Sequence, residues 1–352
     1  MLLDKFTPIQ RFAAYARGEP LDRLPCVPII GNTAARVIGV KVSQLRTDAA
    51  LLAKAQIDSY RKFGYDVVRV FTDLYVIGEA MGAKIRIPDD ETAYLETPVL
   101  HDIADSHKLR PVNPHRDGIL PLQLEAMRRV AGEIGAEVPV TGALTCPFTN
   151  ASFLIGAEAL ARLLLKNPEA VHKLCRISLE SAIACADAII ETGCTPSLTD
   201  AMSSSTVISP RQFREFSLPY LKELINHIGS RGKKVTLHIC GKTRLIWSDM
   251  ADTGAVCLSL DNDADLAEAR LAVGERVRLM GNVPTAAVML QGTSEEVRQA
   301  VFTVASKAWD NPKGLIVASG CSLPTETPFA NITAMMDAVR ELSWPIRKEL
   351  LS

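Results

Sequence analysis

The chain has 352 residues, 47% of them hydrophobic, and its 39 basic and 40 acidic residues leave a net charge of −1. This length and hydrophobic content suit one α/β barrel, and the lack of a basic excess argues against a nucleic-acid partner. No run approaches the roughly 18 apolar residues of a membrane span, and Met1–Lys5 lacks the order of a signal peptide. Eight irregularly spaced cysteines favour reduced thiols over a disulfide framework. We therefore expect a cytoplasmic protein.

In the first half of the chain, apolar runs alternate with helical patterns. Thr7-Pro8 opens a helix that ends near Gly18. Residues 83–98 alternate in polarity and predict a small hairpin, while 111–117 is loop. The remaining predicted strands are 24–30, 66–71, 138–143 and 195–200, and the remaining predicted helices are 43–63, 119–134, 157–166 and 168–192.

The second half continues the alternation. Ser209-Pro210 opens a helix that runs through Ile228. Thr243–Trp247 indicates another helix, and a closing helix covers 330–342. The predicted strands of this half are 235–240, 255–260, 277–280 and 314–319.

Eight short apolar runs, mostly separated by helices, predict a parallel sheet. Eight such units predict a (β/α)8 TIM barrel with an N-terminal helical extension and the small hairpin as an insertion. Since no linker is evident, one domain over residues 1–352 is expected. Barrel active sites lie at the carboxyl ends of the strands. Polar or metal-binding residues at those ends are Asp73, Asp200, His238, Cys240, Asp261, Asn282 and Cys321.

One predicted strand end carries a histidine and a cysteine two residues apart. Residues i and i+2 of a strand face the same way, so His238 and Cys240 present an imidazole nitrogen and a sulfur side by side. Cys321 stands at the end of another buried strand. A single cysteine is more often core than ligand. Together, however, the three residues predict a zinc site with an open position.

The fourth position of this predicted site has candidates at the end of the next strand. Asp261 follows Cys240 by 21 residues and is the predicted fourth zinc ligand of the resting state, with Asp263 as second choice. The alternative is that both aspartates cap the helix that follows at Leu266.

Several stretches resemble the uroporphyrinogen decarboxylase superfamily over nearly the whole chain. They are Val70-Phe71-Thr72-Asp73-Leu74, Glu79-Ala80-Met81-Gly82, Ile208-Ser209-Pro210 with Phe213, Phe216 and Pro219-Tyr220, His238-Ile239-Cys240-Gly241, and Gly320-Cys321 with Thr327-Pro328, Asn331 and Ala334-Met335-Met336. The chain looks most similar to the cobamide-dependent branch, which contains methylcobalamin:coenzyme M methyltransferases. The resemblance implies that His238, Cys240 and Cys321 bind zinc and that a methylcobamide is the methyl donor.

Two departures argue against the decarboxylase itself. Porphyrinogen decarboxylases carry an Arg-Gln-Ala-Gly-Arg-Tyr segment whose arginines hold substrate carboxylates, but the matching place here is Gly31–Arg36. They also use a histidine near the C-terminus, whereas the last histidine of this chain is His238. Asp73 matches their catalytic aspartate. It is predicted either to act in catalysis in another role or to hold backbone amides at the barrel mouth.

Further site residues are predicted beside the zinc ligands. Glu79, Asp200 and Asn282 are predicted to bind the cofactor. Arg244 and Lys242 follow the His-x-Cys pair closely and are candidates for the sulfonate of coenzyme M, although exposure to solvent is the commoner fate of such side chains.

The resemblance, together with the predicted zinc site, implies a zinc-dependent methyltransferase that moves a methyl group from a methyl-corrinoid to a thiol such as coenzyme M. Because the chain lacks the Asp-x-His-x-x-Gly cobalamin signature, the corrinoid is expected on a separate protein. Tetrahydrofolate as methyl acceptor, a decarboxylase-like lyase and a non-catalytic scaffold are the alternatives. The sequence leaves the oligomeric state open, a homodimer included.

Overall fold

The computed structural model of the protein describes residues 4–351, so Met1–Leu3 of the stretch assessed for a signal peptide lie outside it. Eight parallel strands form one sheet in the order β1-β10-β9-β8-β7-β6-β5-β2, and β3 pairs with β4. The strands are β1 (Cys26–Val27), β2 (Val68–Val70), β3 (Lys84–Arg86), β4 (Tyr94–Thr97), β5 (Val140–Thr145), β6 (Thr195–Thr199), β7 (Thr236–Ile239), β8 (Cys257–Leu260), β9 (Arg278–Val283) and β10 (Leu315–Ser319).

Helices follow most of the strands. They are α1 (Pro8–Arg17), α2 (Ala34–Val37), α3 (Ala49–Phe63), α4 (Val76–Ala80), α5 (Leu120–Ile134), α6 (Pro147–Ile155), α7 (Ala157–Lys166), α8 (Pro168–Glu191), α9 (Pro210–Gln212), α10 (Leu218–Ser230), α11 (Trp247–Ala251), α12 (Leu266–Val273), α13 (Ser294–Ala308) and α14 (Phe329–Leu342). A short π-helix, Phe213–Ser217, joins α9 to α10.

The two edges of the sheet meet at Asp66. Its N–H donates to the carbonyl of Cys26 in β1 at 2.9 Å, and its carboxylate accepts from the Cys26 N–H at 2.6 Å. These bonds tie β1 to the segment that enters β2, so the sheet curls into a barrel. The predicted TIM barrel with an N-terminal helix and a hairpin insertion is confirmed.

The predicted helix over residues 43–63 is wrong at its start. Val42–Arg46 forms a 3-10 turn, and α3 begins only at Ala49. The cause is Asp48, whose carboxylate accepts from two N–H groups of the first turn of α3 at 2.7 and 3.1 Å. An aspartate that satisfies the first free N–H groups in this way fixes where a helix begins.

The sequence analysis did not predict α6. All nine residues of this helix are buried, so it lacks the alternation of apolar and polar faces that marks a surface helix. Within residues 4–351, no single helix is long and apolar enough to cross a membrane, although α6 and α7, which meet at a bend of 106°, reach that length together.

The inside of the barrel has two unlike halves. A small apolar cluster fills the half formed by β1, β8, β9 and β10, and its members are Val27, Cys257, Met280, Ile316 and Ala318. Barrel interiors are normally filled by bulky branched side chains. Short polar side chains line the other half, and a cavity of about 150 Å³ remains between the halves; these side chains include Thr141, Thr195, Ser197, Thr199 and Thr236.

Candidate metal centre

Three predicted ligands meet at the carboxyl end of the barrel. His238 belongs to β7, Cys240 follows the end of that strand, and Cys321 comes two residues after the end of β10. One ligand atom from each lies within 4.8 Å of the other two, and the Cys240 Sγ lies 3.3 Å from the His238 Nε2. A single divalent ion can therefore reach all three donors.

Ser259 fixes the orientation of the His238 ring. The two residues are paired in register between β7 and β8, and the His238 Nδ1 lies 3.2 Å from the Ser259 carbonyl oxygen and 3.0 Å from its Oγ. Because a carbonyl oxygen only accepts, Nδ1 carries the hydrogen. This leaves the lone pair of Nε2 facing the cysteines, which is the arrangement of a metal-binding histidine.

The two cysteines at this site differ from the other six in environment. A hydrogen bond between Cys240 and Cys321 raises the pKa of the Cys240 thiol and lowers the pKa of Cys321. One thiolate is thus stabilised by its neighbour even before a cation arrives. In contrast, burial raises the pKa of Cys257 to about 11 and that of Cys185 to about 12. All eight cysteines are free, as predicted.

Asp261 supports the turn that follows Cys240. Its Oδ2 accepts from the Gly241 N–H at 2.7 Å, and its Oδ1 accepts from the Asn262 N–H at 2.7 Å. Gly241 has a φ of 74°, which glycine adopts without steric cost. Among the described residues, Asp261 is not in the group of ligand atoms that lie within 4.8 Å of one another. Its role as a fourth zinc ligand stays a prediction.

The alternative prediction, that Asp261 and Asp263 cap the helix that begins at Leu266, is wrong. Asp265 caps α12 instead, because its Oδ1 accepts from the N–H groups of Ala267 and Glu268 at 2.8 and 3.1 Å.

Asp73 and Glu79 are held together by one arginine outside the cavity. The Arg46 Nε donates to the Asp73 Oδ2 at 2.7 Å, and its Nη2 donates to the Glu79 Oε2 at 2.6 Å. Asp73 also accepts from the Tyr75 N–H at 2.8 Å, which agrees with the expectation of an aspartate that holds backbone amides. Neither carboxylate lines the cavity beneath the three ligands.

Asp200 and Asn282 make internal hydrogen bonds. The Asp200 carboxylate, which is fully buried, accepts from the hydroxyl groups of Thr149, Ser203 and Ser217. Asn282 donates to the carbonyls of Asp261 and Ala264 at 2.8 and 2.7 Å. These contacts anchor the loops around the site. The cofactor-binding roles of Glu79, Asp200 and Asn282 remain predictions.

Arg69 is a residue of this site that the sequence analysis missed. It lines the cavity together with His238, Cys240 and Cys321. The signal that could have identified it is its charge within the apolar run Val67-Val68-Arg69-Val70. Charged side chains are almost never fully buried unless they are paired. The two cations considered from sequence lie elsewhere: Lys242 and Arg244 are exposed, and Arg244 pairs with Glu268.

Comparisons with known proteins give one family. The family model "Uroporphyrinogen decarboxylase (URO-D)" matches residues 7–342. A methylcobamide:CoM methyltransferase of Methanosarcina barkeri is 29% identical over 343 residues, covering 96% of this chain and 98% of the relative. A uroporphyrinogen decarboxylase of Psychromonas ingrahamii is 28% identical over 307 residues, covering 85% of each chain.

A solved structure of a methyltransferase from Methanosarcina mazei has the same fold. It superimposes with a TM-score of 0.86 at 27% sequence identity, and the match covers 96% of this chain and 99% of that one.

Proposed function

The chain belongs to the uroporphyrinogen decarboxylase family, and from this membership and the site we propose that it transfers a methyl group from a methyl-corrinoid to a thiol. The observation that carries the proposal is the meeting of the His238, Cys240 and Cys321 ligand atoms within 4.8 Å. The Methanosarcina barkeri relative, which matches over almost its full length, is named for the same reaction with coenzyme M as acceptor. We propose coenzyme M, or a thiol like it, as the acceptor here.

The donor set fits zinc. Two soft thiolate sulfurs and an imidazole nitrogen suit zinc better than magnesium or manganese, and three protein ligands leave a position for a substrate, as in catalytic zinc sites. Zinc bound here would lower the pKa of a thiol that reaches it, and so favour the thiolate, the nucleophilic form of sulfur.

The protein's own residues set the conditions for this chemistry. Ser259 holds the imidazole in the tautomer whose Nε2 faces the sulfurs. Asp261 fixes the turn at Gly241, so that Cys240 projects beside His238. Holding two reactants in fixed geometry is a large part of rate enhancement in group transfer.

In the overall reaction, the S–H bond of the thiol and the bond between cobalt and the methyl carbon break, and an S–CH3 bond forms. The electron pair of the cobalt–carbon bond stays with cobalt, which goes from Co(III) to Co(I), and the thiol proton is released. Since the chain lacks the cobalamin signature, we propose that a separate corrinoid protein brings the methyl group to the barrel mouth.

The position of Asp73 favours methyl transfer over porphyrinogen decarboxylation. A catalytic aspartate must reach substrate, but the Asp73 carboxylate is buried and bound by Arg46 and the Tyr75 amide. It does not line the cavity.

Metal analysis together with a demethylation assay tests the proposal. We expect about one zinc ion per purified chain and loss of methyl from methylcobalamin in the presence of 2-mercaptoethanesulfonate, which is coenzyme M. Cys321→Ser should lose both zinc and activity. Cys185→Ser is the matched control, because Cys185 is a buried cysteine of α8, and it should keep both.

Three outcomes would contradict the proposal. They are full zinc content in Cys321→Ser, methyl transfer by the zinc-stripped protein, and methyl transfer to tetrahydrofolate with none to any thiol. Turnover of a porphyrinogen without metal would favour the lyase instead.

A further inference from the structure

The guanidinium of Arg69 lies inside the barrel near the three ligands. Its Nη2 donates to the Thr199 Oγ1 at 2.9 Å, and Thr199 is paired in register with His238. The side chain therefore reaches from β2 to the level of the histidine. The Phe71 ring centroid lies 4.8 Å from its Cζ, and this cation–π contact holds the guanidinium against the barrel wall.

Arg69 has unused hydrogen-bonding capacity. Its Nε is buried and has no hydrogen-bond partner among residues 4–351. Nor does any carboxylate of that range lie within ion-pair distance of it; the ion pairs of the neighbouring arginines involve other residues. Part of its surface nevertheless stays accessible, because it faces the cavity that it lines.

The charge of Arg69 persists in this environment. Burial lowers the pKa of its guanidinium to about 10, and the nearby Cys321 and Cys240 sulfurs oppose that shift. The group is thus cationic at neutral pH. A buried cation without a counter-ion is costly. An anion that enters the cavity would offset this cost and satisfy the free Nε.

The surroundings of Arg69 suit a small polar guest. The half of the barrel interior around it is lined by hydroxyl side chains, among them Ser197 and Thr199, which can donate to an anion. The cavity of about 150 Å³ joins these groups to the metal ligands, so one short molecule can reach both.

We propose that Arg69 is the specificity residue for the methyl acceptor, and that it binds the anionic end of a short thiol, such as a sulfonate or a carboxylate, inside the barrel. This inference rests on the proposed function, because it assumes a thiol acceptor. It assigns to the acceptor a sulfur at the mouth and a negative charge further inside.

Charge balance at the site agrees with this assignment. The thiolates of Cys240 and Cys321 and a zinc dication would sum to zero charge. Zinc and its protein ligands would therefore not neutralise the charge of Arg69. The guanidinium presents N–H donors in a planar fork that matches the oxygens of sulfonate or carboxylate.

A binding experiment tests Arg69 without depending on methyl transfer. Ethanesulfonate, which has the anionic end but no thiol, is titrated into the full chain by calorimetry. We expect Arg69→Gln to raise its Kd by about 10- to 100-fold, the usual effect of losing a charge-assisted hydrogen bond. Arg244→Gln is the matched control, since it removes an exposed arginine near the mouth, and its Kd should stay within about twofold of wild type. Arg69→Lys should restore part of the affinity.

A kinetic experiment separates specificity from general damage. Methyl transfer from methylcobalamin is measured with 2-mercaptoethanesulfonate, 3-mercaptopropionate and the neutral 2-mercaptoethanol. In Arg69→Gln, we expect kcat/KM to fall about 10- to 100-fold for the charged thiols, mainly through KM. For the neutral thiol it should change less than about threefold. Comparison of the two charged thiols distinguishes a sulfonate from a carboxylate site.

Failure of the inference and failure of the proposed function give different results. If ethanesulfonate binds neither form, or binds Arg69→Gln as tightly as wild type, the role of Arg69 is wrong, even where thiols are methylated. If no thiol is methylated by wild type, the proposed function is wrong, while the ethanesulfonate titration still decides whether Arg69 binds anions.

Discussion

Two arginine sites close to β2 differ in the partners of their charged side chains. Arg11 and Arg23 lie next to the segment that enters β2, and each is almost fully inaccessible to solvent. Both pair with carboxylates, which are Asp4, Asp22 and Asp66. Arg69 lies only three residues after Asp66 in the chain, yet it has no carboxylate partner within residues 4–351.

The difference separates a structural use of buried charge from a functional one. Asp66 accepts from Arg11, Arg23 and the Cys26 N–H, so this cluster is complete without a ligand and joins the edges of the sheet. Among the described residues, Arg69 is held by a hydrogen bond to Thr199 and a cation–π contact with Phe71. A fixed cation with an unused N–H donor, such as Arg69, can bind a ligand. Fully paired cations, such as Arg11 and Arg23, stabilise the fold.

The largest predicted effect is at Asp66. Asp66→Asn leaves Arg11 and Arg23 short of a buried counter-charge, and removal of one partner from a buried pair typically costs about 3–5 kcal/mol. We expect a loss of that size in the free energy of unfolding, measured with urea. Asp89→Asn is the control, because Asp89 pairs with Lys41 on the surface, and it should cost less than about 1 kcal/mol. Equal losses of unfolding free energy in the two variants would show that the cluster has no special structural role.

Asp22 gives the same cluster a dependence on pH. Burial alone raises the pKa of Asp22, but the hydrogen bond and charge of Arg11 outweigh it and lower this pKa from 3.8 to about 2. A depressed pKa stabilises the folded state above the unfolded-state value, and this contribution is lost as the pH falls from 3.8 toward 2.

We expect Asp22 to contribute about 1–2 kcal/mol at neutral pH, after allowance for its partial contact with solvent. Urea unfolding at about pH 5 and about pH 2.5 should show a smaller drop in stability for Asp22→Asn than for wild type. Identical drops would mean that Asp22 does not titrate in this interval.

Ser259 provides a test at the other end of the barrel. Ser259→Ala removes the hydroxyl beside the His238 Nδ1 but keeps the carbonyl at 3.2 Å. Loss of a partner that orients a metal ligand costs 10- to 100-fold in affinity, and with the carbonyl retained we expect about tenfold, the lower end of that range. Competition with a zinc chelator measures it, with Ser306→Ala on the exposed face of α13 as the control. Unchanged affinity would show that the carbonyl alone orients the ring.

The smallest stability effect is expected at Arg69. Because no carboxylate within residues 4–351 pairs with its charge, Arg69→Gln should change the free energy of unfolding by less than about 1 kcal/mol, in either direction. Urea unfolding in the absence of anionic ligands is the measurement. A loss of unfolding free energy as large as that of Asp66→Asn would show that Arg69 is a structural residue. It would contradict the proposed difference between Arg69 and the cluster around Asp66.

Much of the fold was predictable from the sequence because buried parallel strands are continuous apolar runs. All eight barrel strands were predicted, and so was the hairpin. The fully buried α6 was not, since its polar residues Thr149, Asn150 and Ser152 are buried with the apolar ones and no exposed polar face marks the segment as a helix. The start of α3 depended on the local capping by Asp48, which a periodicity over 43–63 does not reveal.

The candidate site was predictable where spacing along one strand determines geometry. His238 and Cys240 are two residues apart and must face the same way, and Cys321 likewise follows the end of a barrel strand. Long-range partners were not predictable in this way. One example is the pairing of Ser259 with His238. Another is the binding of Asp73 and Glu79 by Arg46. Both depend on the tertiary arrangement, so sequence separation does not predict them.

Zinc K-edge X-ray absorption on the purified chain tests the central claim most directly. The account predicts bound zinc with two sulfur neighbours at about 2.3 Å and one imidazole nitrogen at about 2.0–2.1 Å, and the loss of one sulfur or of the metal in Cys240→Ser. Zinc surrounded by oxygen and nitrogen alone, or a spectrum unchanged by that substitution, would contradict it.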